Sequence, residues 1–404
     1  MLTRASDSPW EGTEVPEEAA LYLERVRQLA PDIAAAGDRI ESERRVPESL
    51  LEKMLAAGLF RMLLPRSAGG AEVHPLTFMR VVEEIARTEA APAWNVGQNA
   101  VCAMVAAYLS PEAAEDIFGD ARSIVAWGPP GPEAKAVVTE GGYRVTGNWA
   151  FASGGRHATW LGGYCPVIEP DGTPRCDAAG KPVRRLMLFP AAEATMTDIW
   201  HVIGLRGTAS DAFAVTELFV PEEYTTSRDN LDEVRERGWL YQFKTTNLYA
   251  CGFGSVALGV ARSMLDAFIA LAGEKTPRGY TSALRENAAT QQDLGLAEAR
   301  LRAARAFLFQ SMEHICAAAQ RSGRVTIDQR VTIRLAATHA TREAVRVARF
   351  AYDAAGATAV FNGSPFERRF RDIHAISQQV QGRKSHYQTV GKALLGFDAE
   401  TLFL

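Results

Sequence analysis

The 404-residue chain lacks the signature motifs of several large enzyme classes. It has no GxxxxGKS or GxxxxGKT loop for nucleotide phosphates, no HExxH zinc motif, no GxSxG nucleophile motif, and no GxGxxG that follows a strand and opens a helix. These absences argue against phosphoryl transfer, zinc-dependent hydrolysis and α/β-hydrolase chemistry.

Cysteine is scarce and charge is nearly balanced. The five cysteines include no CxxC pair, which predicts neither a disulfide framework nor a metal site and is typical of the reducing cytoplasm. The chain has 44 Lys and Arg against 48 Asp and Glu, and a net charge of −4 provides no strong field for nucleic acid or an anionic membrane. We therefore expect the partners to be small molecules or further copies of the chain.

The sequence also lacks a long uninterrupted apolar segment. The N-terminus has no apolar leader, and the most apolar stretch, residues 248–273, is broken by Arg262 and Asp266. We expect neither export nor a membrane span. A hydrophobic content of 47% and a charged content of 23% are typical of a soluble globular chain. At roughly 150 residues per domain, the length predicts two to three domains.

The hydrophobic pattern divides the chain into three blocks. Helical periodicity covers about the first 120 residues, β-branched alternation with turn dipeptides follows to about residue 240, and long helical patterns continue to the end. In the middle block, Glu140-Gly141 between two apolar runs is typical of a tight hairpin. We predict an α+β fold, mostly α, with domains at residues 1–120, 121–240 and 241–404.

The most informative stretch is GYRVTGNWAFASGG, which begins at Gly142. It places Trp149 and Phe151 at alternate positions ahead of Ser153 and a glycine pair, at the end of a predicted strand. This arrangement suits a flat aromatic ligand, because the rings supply stacking and the Ser153 hydroxyl and nearby backbone N–H groups supply hydrogen bonds. The alternative is a hairpin whose aromatic rings only fill a core.

The order of the blocks, together with several local strings, resembles the acyl-CoA dehydrogenase fold. The strings span almost the whole chain: Leu64-Pro65 to Gly69-Gly70, EEIARTE from Glu83, GGYRVTGNWAFASG from Gly141, GLRGT from Gly204 leading to ELFVP from Glu217, and PFERRFRD from Pro365. The resemblance implies an N-terminal helical domain, a central β-barrel or sandwich domain and a C-terminal four-helix bundle.

Acidic residues are absent from both segments in which a dehydrogenase of this fold carries its base. Removing a proton next to a thioester requires a carboxylate within reach of the substrate. Residues 373–397, which follow the Arg-Asp pair, and residues 241–262, which follow the β block, contain no Asp or Glu. This argues against dehydrogenation of an acyl-CoA. An acyl-CoA oxidase or dehydrogenase with a relocated base, and a non-catalytic flavin-binding scaffold, stay open as alternatives.

Within this fold the chain resembles more closely the oxygenase components of two-component flavin-dependent monooxygenases, of the 4-hydroxyphenylacetate hydroxylase type, and their relatives that N-hydroxylate amines. The W-x-F-x-S-G string, the following His157 and Trp160, and RDIHAISQQ from Arg371 carry this resemblance. It implies that a separate NAD(P)H:flavin reductase supplies reduced FMN or FAD, that O₂ gives a C4a-hydroperoxide, and that one oxygen atom passes to a small aromatic or amine substrate. It also implies a homotetramer.

The resemblance further assigns cofactor and substrate contacts. Ser153 is the expected hydrogen-bond partner of flavin N5, and Trp149 and Phe151 are expected along the ring. The remaining candidate contacts for the flavin, at its phosphates or across a subunit interface, are Arg278, Gly356 and Lys384. Substrate enclosure is assigned to Cys102 and to Trp127-Gly128-Pro129. For the charged residues the alternative is a solvated surface position, and for Gly356 a helix C-cap.

Substrate activation departs from the phenol hydroxylases. Gln379 stands where their C-terminal histidine is expected, and a glutamine can orient a substrate but cannot accept its proton. Together with Ser153, we take Gln379, His386 and His157 as candidate catalytic residues, with a packed or surface histidine as the alternative for the last two. The departure leaves room for an amine, an indole-like ring or another already activated carbon.

Overall fold

Helices occupy the beginning and the end of the chain, and strands occupy its middle. The computed structural model describes residues 16–227 and 230–398. The α-helices that precede the strands are α1 (Glu17–Glu43), α2 (Glu48–Ala56), α3 (Pro75–Thr88), α4 (Ala90–Ala103) and α5 (Pro111–Phe118). Every residue of α4 is buried, as the near absence of charge in its sequence predicts.

Contacts group the chain into two compact units. Of the described residues, the helical unit comprises 16–28, 73–87 and 250–398, and the sheet unit comprises 29–72, 88–227 and 230–249. This grouping differs from the order along the chain, since α3 belongs with the C-terminal helices. The boundaries 1–120, 121–240 and 241–404 stay a prediction about blocks of sequence.

The strands of the sheet unit form one mixed sheet. They are β1 (Val125–Trp127), β2 (Lys135–Thr139), β3 (Gly142–Ala152), β4 (Trp160–Ile168), β5 (Arg184–Pro190), β6 (Thr195–Thr197), β7 (Asp211–Pro221) and β8 (Thr225–Thr226). The hydrogen-bonded order is β6-β7-β3-β2-β4-β5-β8, with β1 paired to β4. Thr139 pairs with Gly142 across Glu140-Gly141, and Gly141 takes a φ of +75°. The predicted hairpin is confirmed.

An aromatic cluster forms the centre of the sheet core. Trp149 of β3 has no exposed surface and stacks on Phe213, with ring centroids 5.2 Å apart. Its indole N–H donates to the Tyr164 carbonyl at 3.2 Å, and the ring of Phe189 lies 6.3 Å away. Helices on both sides in sequence and a sheet with its own core confirm the predicted fold class.

The helical unit consists mainly of long helices. They are α6 (Thr245–Glu274, whose first turn belongs to the sheet unit), α7 (Ala288–Ser322), α8 (Ile327–Ala355), α9 (Glu367–Gln378) and α10 (His386–Leu394). A Cβ added to Gly252 of α6 would lie 2.9 Å from the Phe78 ring, and one added to Gly259 would lie 2.3 Å from the Glu83 carbonyl oxygen. The two glycines therefore allow close packing of α3 on α6.

Helix α6 contains the apolar stretch noted in the sequence. Of the described residues, Thr245–Glu274 form the one helix that is long and apolar enough to cross a membrane, judged by length and composition alone. A core helix of a folded protein passes the same test. Arg262 of α6 forms ion pairs with Asp266 at 2.7 Å and with Glu298 at 2.6 Å, so this cation is neutralised inside the helical unit.

Candidate functional site

Ser153 directly follows β3 and begins a series of buried hydroxyl groups. Its hydroxyl oxygen accepts the indole N–H of Trp94 at 3.0 Å and lies 2.7 Å from the hydroxyl of Ser210. The Ser210 oxygen lies 2.7 Å from that of Thr208, which donates to the Leu205 carbonyl at 2.9 Å. We call the series from Ser153 through Ser210 and Thr208 to the Leu205 carbonyl the hydroxyl chain.

The backbone around the hydroxyl chain is strained. Leu205 and Ala209 have φ values of +54° and +47°, and Phe151 of β3 has +58°, all in the left-handed region. The Gly154 N–H donates to the Thr208 carbonyl at 2.8 Å and ties the two segments together. Each such non-glycine residue costs about 1 to 3 kcal/mol, and strain of this kind is concentrated at functional sites. The strain therefore points to this part of the sheet unit as the candidate site.

The buried helix α4 supplies polar side chains to the same region. Asn99 donates to two backbone carbonyls at 3.1 Å, one of them that of Ser153. Gln98 donates to the Tyr249 hydroxyl at 3.2 Å, and this hydroxyl lies 3.2 Å from the sulfur of Cys102. Cys102, predicted to contact the substrate, thus belongs to a buried polar cluster on α4.

Asn95 differs from its polar neighbours on α4. It is 1% exposed, yet neither its Oδ1 nor its Nδ2 has a hydrogen-bond partner among the residues that the structure describes. An unpaired buried amide costs about 1 to 3 kcal/mol. Such a group is expected where a ligand or an ordered water supplies the missing bonds.

Trp149 and Phe151, both predicted along the flavin ring, lie in different environments. Trp149 fills the sheet core, which was the alternative explanation of its pattern. Phe151 is 59% exposed and meets the Trp200 ring edge-on at 5.9 Å. Of this pair, Phe151 is the residue whose ring is open to a ligand. Contact of either ring with a flavin stays a prediction.

The predicted substrate-enclosing segment packs against β3. Trp127 is the last residue of β1 and is 5% exposed. A Cβ on Gly128 would lie 1.8 Å from the Ala150 carbonyl oxygen, and the Pro129 carbonyl accepts the Ala150 N–H at 3.2 Å. The glycine is therefore required for the close approach of this segment to β3. A contact of Trp127, Gly128 or Pro129 with substrate stays a prediction.

His157 lies at the end of a short 3₁₀ turn, Gly155–His157. Burial, together with the charge of Arg45, lowers the pKa of His157 to about 4. Its Nε2 has no hydrogen-bond partner within residues 16–227 and 230–398. At pH 7 the ring is neutral, so it can bond to a ligand but is a weak base. Its catalytic role stays a prediction.

In the helical unit, Gln379 and His386 share one turn. The Gln379 side-chain oxygen accepts the Gln381 N–H at 2.5 Å. The His386 Nε2 lies 2.7 Å from the Val380 carbonyl, which can only accept, so this nitrogen carries a proton. Buried Arg334 of α8 donates to the Gln381 carbonyl and side chain at 3.0 and 2.7 Å. Both predicted residues bond to the 3₁₀ turn Val380–Gly382, and their part in catalysis stays a prediction.

The environment of His386 predicts a loss of stability in acid. Burial and the charge of Arg334 lower the pKa of His386 to about 4, whereas an unfolded histidine has a pKa of about 6.5. Between these values the unfolded chain binds more protons than the folded chain, so the free energy of unfolding falls as pH falls. Moving from pH 7 to pH 5 is expected to cost about 2 kcal/mol through this residue.

Denaturant unfolding at both pH values checks this expectation. The matched variant is His386→Gln, whose side-chain amide can still donate a hydrogen bond but does not titrate. Its stability is expected to depend on pH by about 2 kcal/mol less than that of the unaltered protein. Equal pH dependence of the two proteins would contradict the assignment.

Lys275 of the helical unit bonds to both sides of the turn that contains Gly356. Its ammonium group donates to the Ala355 carbonyl at 2.6 Å and to the Thr358 hydroxyl at 2.9 Å. Gly356 between them has a φ of +58° and is the C-cap of α8, which was the alternative explanation of this glycine; its contact with a cofactor stays a prediction. Arg278, on the loop that begins at Lys275, is exposed, and no side-chain hydrogen bond or ion pair to it occurs in the described part of the chain.

The chemistry of these groups fits a flavin. Ser153 presents a buried hydroxyl oxygen for a ring nitrogen, and Phe151 presents an exposed ring. Arg278 and Lys384 are exposed cations of the kind that bind phosphate, and Gly356 leaves its backbone uncovered. Ser153 and Phe151 belong to the sheet unit, and the other three belong to the helical unit.

Several residues of the site were missed from the sequence: Trp94, Asn95, Asn99, Thr208 and Ser210. The two asparagines of α4 could have been found from the sequence. An amide side chain inside an otherwise apolar, buried helix needs a hydrogen-bond partner, and a functional site is one place that supplies it. For the pair Thr208 and Ser210 no local signal exists, since their bond to Ser153 joins distant parts of the chain.

Comparison with known proteins gives a consistent result. Two domain families match: Acyl-CoA dehydrogenase, N-terminal domain, over residues 16–120, and Acyl-CoA dehydrogenase, C-terminal domain, over residues 251–381. Indole-3-acetate monooxygenase of Pseudomonas putida is 30% identical over 368 residues, which cover 90% of this chain and 91% of that protein. The oxygenase component of FADH2-dependent resorcinol hydroxylase of Rhizobium sp. is 25% identical, with coverage of 93% and 94%.

The solved structures show the same architecture. XiaF from Streptomyces sp., in complex with FADH2 and glycerol, aligns with a TM-score of 0.87 at 23% identity and covers 96% of this chain and 98% of its own. At this level of identity the likeness establishes the fold. The similarity spans nearly the full length of both chains.

Proposed function

The chain belongs to the flavin-dependent monooxygenases of the acyl-CoA dehydrogenase family, and on this premise we propose that it hydroxylates an electron-rich carbon of a small, indole-like aromatic substrate. One atom of O₂ enters the substrate and the other leaves as water. Reduced FMN or FAD, supplied by a separate NAD(P)H:flavin reductase, provides the two electrons. The similarity to oxygenase components supports this reaction over acyl-CoA oxidation with a relocated base.

We choose the substrate class from the properties of Gln379 and His386, neither of which is suited to take a proton from a substrate. Gln379 cannot take a proton from a phenol, and its side-chain oxygen accepts the Gln381 N–H. His386 donates through Nε2 and has a pKa of about 4. A phenol becomes strongly nucleophilic only when it loses its proton, whereas an indole carbon is nucleophilic without deprotonation. The similarity to the indole-3-acetate monooxygenase of Pseudomonas putida supports the same substrate class.

The chain's own residues then have separable tasks. Ser153 would hold the N5 edge of the flavin ring, with Phe151 along it, and Asn95 would bond to a polar group of the substrate. Phosphate contacts would come from Arg278 and Lys384, and Gly356 would allow close approach of a cofactor across a subunit interface. The remaining candidates for enclosing or orienting the substrate are Cys102, Trp127, Gly128, Pro129, His157, Gln379 and His386.

We further propose a homotetramer located in the cytoplasm. Large apolar side chains are exposed on the described helical unit: Ile269, Leu296, Phe307, Val360 and Phe361. Apolar groups of this size favour burial against another protein surface, and a further copy of the chain would cover them. The reducing compartment is supported by the five cysteines, which form no disulfide among the described residues.

A substrate panel tests the proposed function. The protein, a flavin reductase, NAD(P)H, FMN or FAD, and O₂ are expected to hydroxylate indole or indole-3-acetate at least about tenfold faster than phenol or 4-hydroxyphenylacetate, because general base catalysis contributes about 10² to 10⁴ to rates. A preference for the phenols would contradict the proposal. As a control for the alternative, an acyl-CoA is expected not to bleach the oxidised flavin complex under anaerobic conditions.

A further inference from the structure

We propose that Ser210 and Thr208 are positioning residues that make the Ser153 hydroxyl an acceptor toward its ligand, so that the site favours a reduced flavin over an oxidised one. This inference rests on the proposed placement of flavin N5 at Ser153. It assigns a task to two side chains that the proposed function leaves unexplained.

The direction of the hydroxyl chain follows from the carbonyl at its Leu205 end. A carbonyl oxygen can only accept, so at 2.9 Å the Leu205 carbonyl receives the one hydroxyl proton of Thr208. Thr208 must then accept at its other contact, which makes Ser210 the donor at 2.7 Å. Because Ser210 donates its one hydroxyl proton to Thr208, it must accept a hydrogen bond from Ser153, also at 2.7 Å. The Ser153 proton therefore points into the hydroxyl chain.

The opposite direction is unfavourable. It would require Thr208 to donate to Ser210 and would leave the Thr208 and Leu205 oxygens facing each other at 2.9 Å without a proton between them. At the other end, an indole N–H can only donate, so the bond from Trp94 at 3.0 Å occupies one of the two lone pairs of the Ser153 oxygen. Ser153 thus receives one bond, gives its proton to Ser210, and retains one lone pair.

The backbone donors beside Ser153 are also engaged. The Ser153 N–H donates to the Phe151 carbonyl at 3.0 Å, and the Gly154 N–H donates to the Thr208 carbonyl at 2.8 Å. The sequence predicts that nearby backbone N–H groups bond to ring heteroatoms of the ligand. Both of these are used inside the sheet unit, so this position offers an acceptor.

The two redox states of a flavin present opposite groups at N5. Reduced flavin carries a hydrogen on N5 and donates, whereas oxidised flavin has a lone pair there and accepts. A hydroxyl oxygen that accepts at Ser153 forms a hydrogen bond with the N5–H of reduced flavin and repels the N5 lone pair of oxidised flavin. A buried polar contact that is left unsatisfied weakens binding by about tenfold to 100-fold. We therefore expect reduced flavin to bind more tightly than oxidised flavin by about this factor.

The test is the ratio of dissociation constants for oxidised and reduced flavin, measured under anaerobic conditions with FMN and with FAD. In Ser210→Ala the Ser153 proton is freed and can turn to the ligand. The Kd for oxidised flavin is expected to fall about tenfold, while the Kd for reduced flavin changes little. Thr208→Val removes the acceptor of the Ser210 proton without changing side-chain size and is expected to give the same shift. It serves as the second variant if Ser210→Ala does not fold.

The controls separate the inference from its premise. Thr208→Ser keeps the hydroxyl and is expected to keep the ratio of the unaltered protein. Ser153→Ala is expected to weaken binding of reduced flavin about tenfold. If Ser153→Ala changes neither Kd, the flavin does not bind at Ser153 and the proposed placement fails. If Ser153→Ala weakens binding but neither Ser210→Ala nor Thr208→Val tightens that of oxidised flavin, the placement holds and the positioning role is overturned.

Discussion

Replacing Trp149 with alanine is expected to lower the free energy of unfolding by about 3 to 5 kcal/mol, the usual cost of truncating a fully buried aromatic residue. The side chain has no exposed surface, stacks on Phe213 and donates to the Tyr164 carbonyl. Its removal leaves a cavity in the centre of the sheet core and removes the hydrogen bond to the Tyr164 carbonyl. Denaturant unfolding followed by far-ultraviolet circular dichroism measures the loss, because this signal comes mainly from the backbone and not from the removed tryptophan.

Phe151→Ala is the matched control for this prediction. It lies on the same strand and is also aromatic, but it is 59% exposed. The free energy of unfolding of the Phe151→Ala protein is expected to change by less than about 1 kcal/mol. Its affinity for reduced flavin is expected to fall. A small stability loss in Trp149→Ala, together with a loss of flavin affinity, would instead make Trp149 a ligand contact.

Leucine substitutions at Asn95 and Asn99 are expected to change stability in opposite directions. Asn95→Leu removes an amide with no partner among the described residues and is expected to raise the unfolding free energy by about 1 kcal/mol. Asn99→Leu leaves two backbone carbonyls without their donor, including that of Ser153, and is expected to lower it by about 2 to 4 kcal/mol.

Function is expected to distinguish the pair further. Because Asn95 is proposed to bond to the substrate, Asn95→Leu is expected to raise KM about tenfold while the protein becomes more stable. Unfolding curves and initial rates of the same preparations give both quantities. A destabilised Asn95→Leu protein with unchanged KM would mean that Asn95 serves packing and not the substrate.

The sequence predicted those parts of the molecule that local patterns specify. Helix α4 is buried because its residues carry almost no charge, and the β2–β3 hairpin forms because Gly141 accepts a left-handed conformation. The acyl-CoA dehydrogenase resemblance rested on short strings in a fixed order, and such order survives at low identity.

Contacts between distant segments could not be predicted in this way. The alternation in β3 permits Trp149 either to face a ligand or to fill a core, and only the stacking on Phe213 of β7 decides between them. The bonds that join Ser153 to Ser210 and Thr208 depend on left-handed backbone at Leu205 and Ala209, and neither leucine nor alanine is a residue type that indicates this conformation. The grouping of α3 with the C-terminal helices likewise follows from packing at Gly252 and Gly259.

The central claim is that this chain transfers one oxygen atom from O₂ to its substrate, and the fate of labelled oxygen tests it most directly. The protein, its substrate and chemically reduced flavin are mixed with ¹⁸O₂ in unlabelled water, and the product is analysed by mass spectrometry. The account predicts one ¹⁸O atom in each molecule of hydroxylated product. Oxidation of the flavin with all O₂ recovered as hydrogen peroxide, or a product whose new oxygen comes from water, would contradict it.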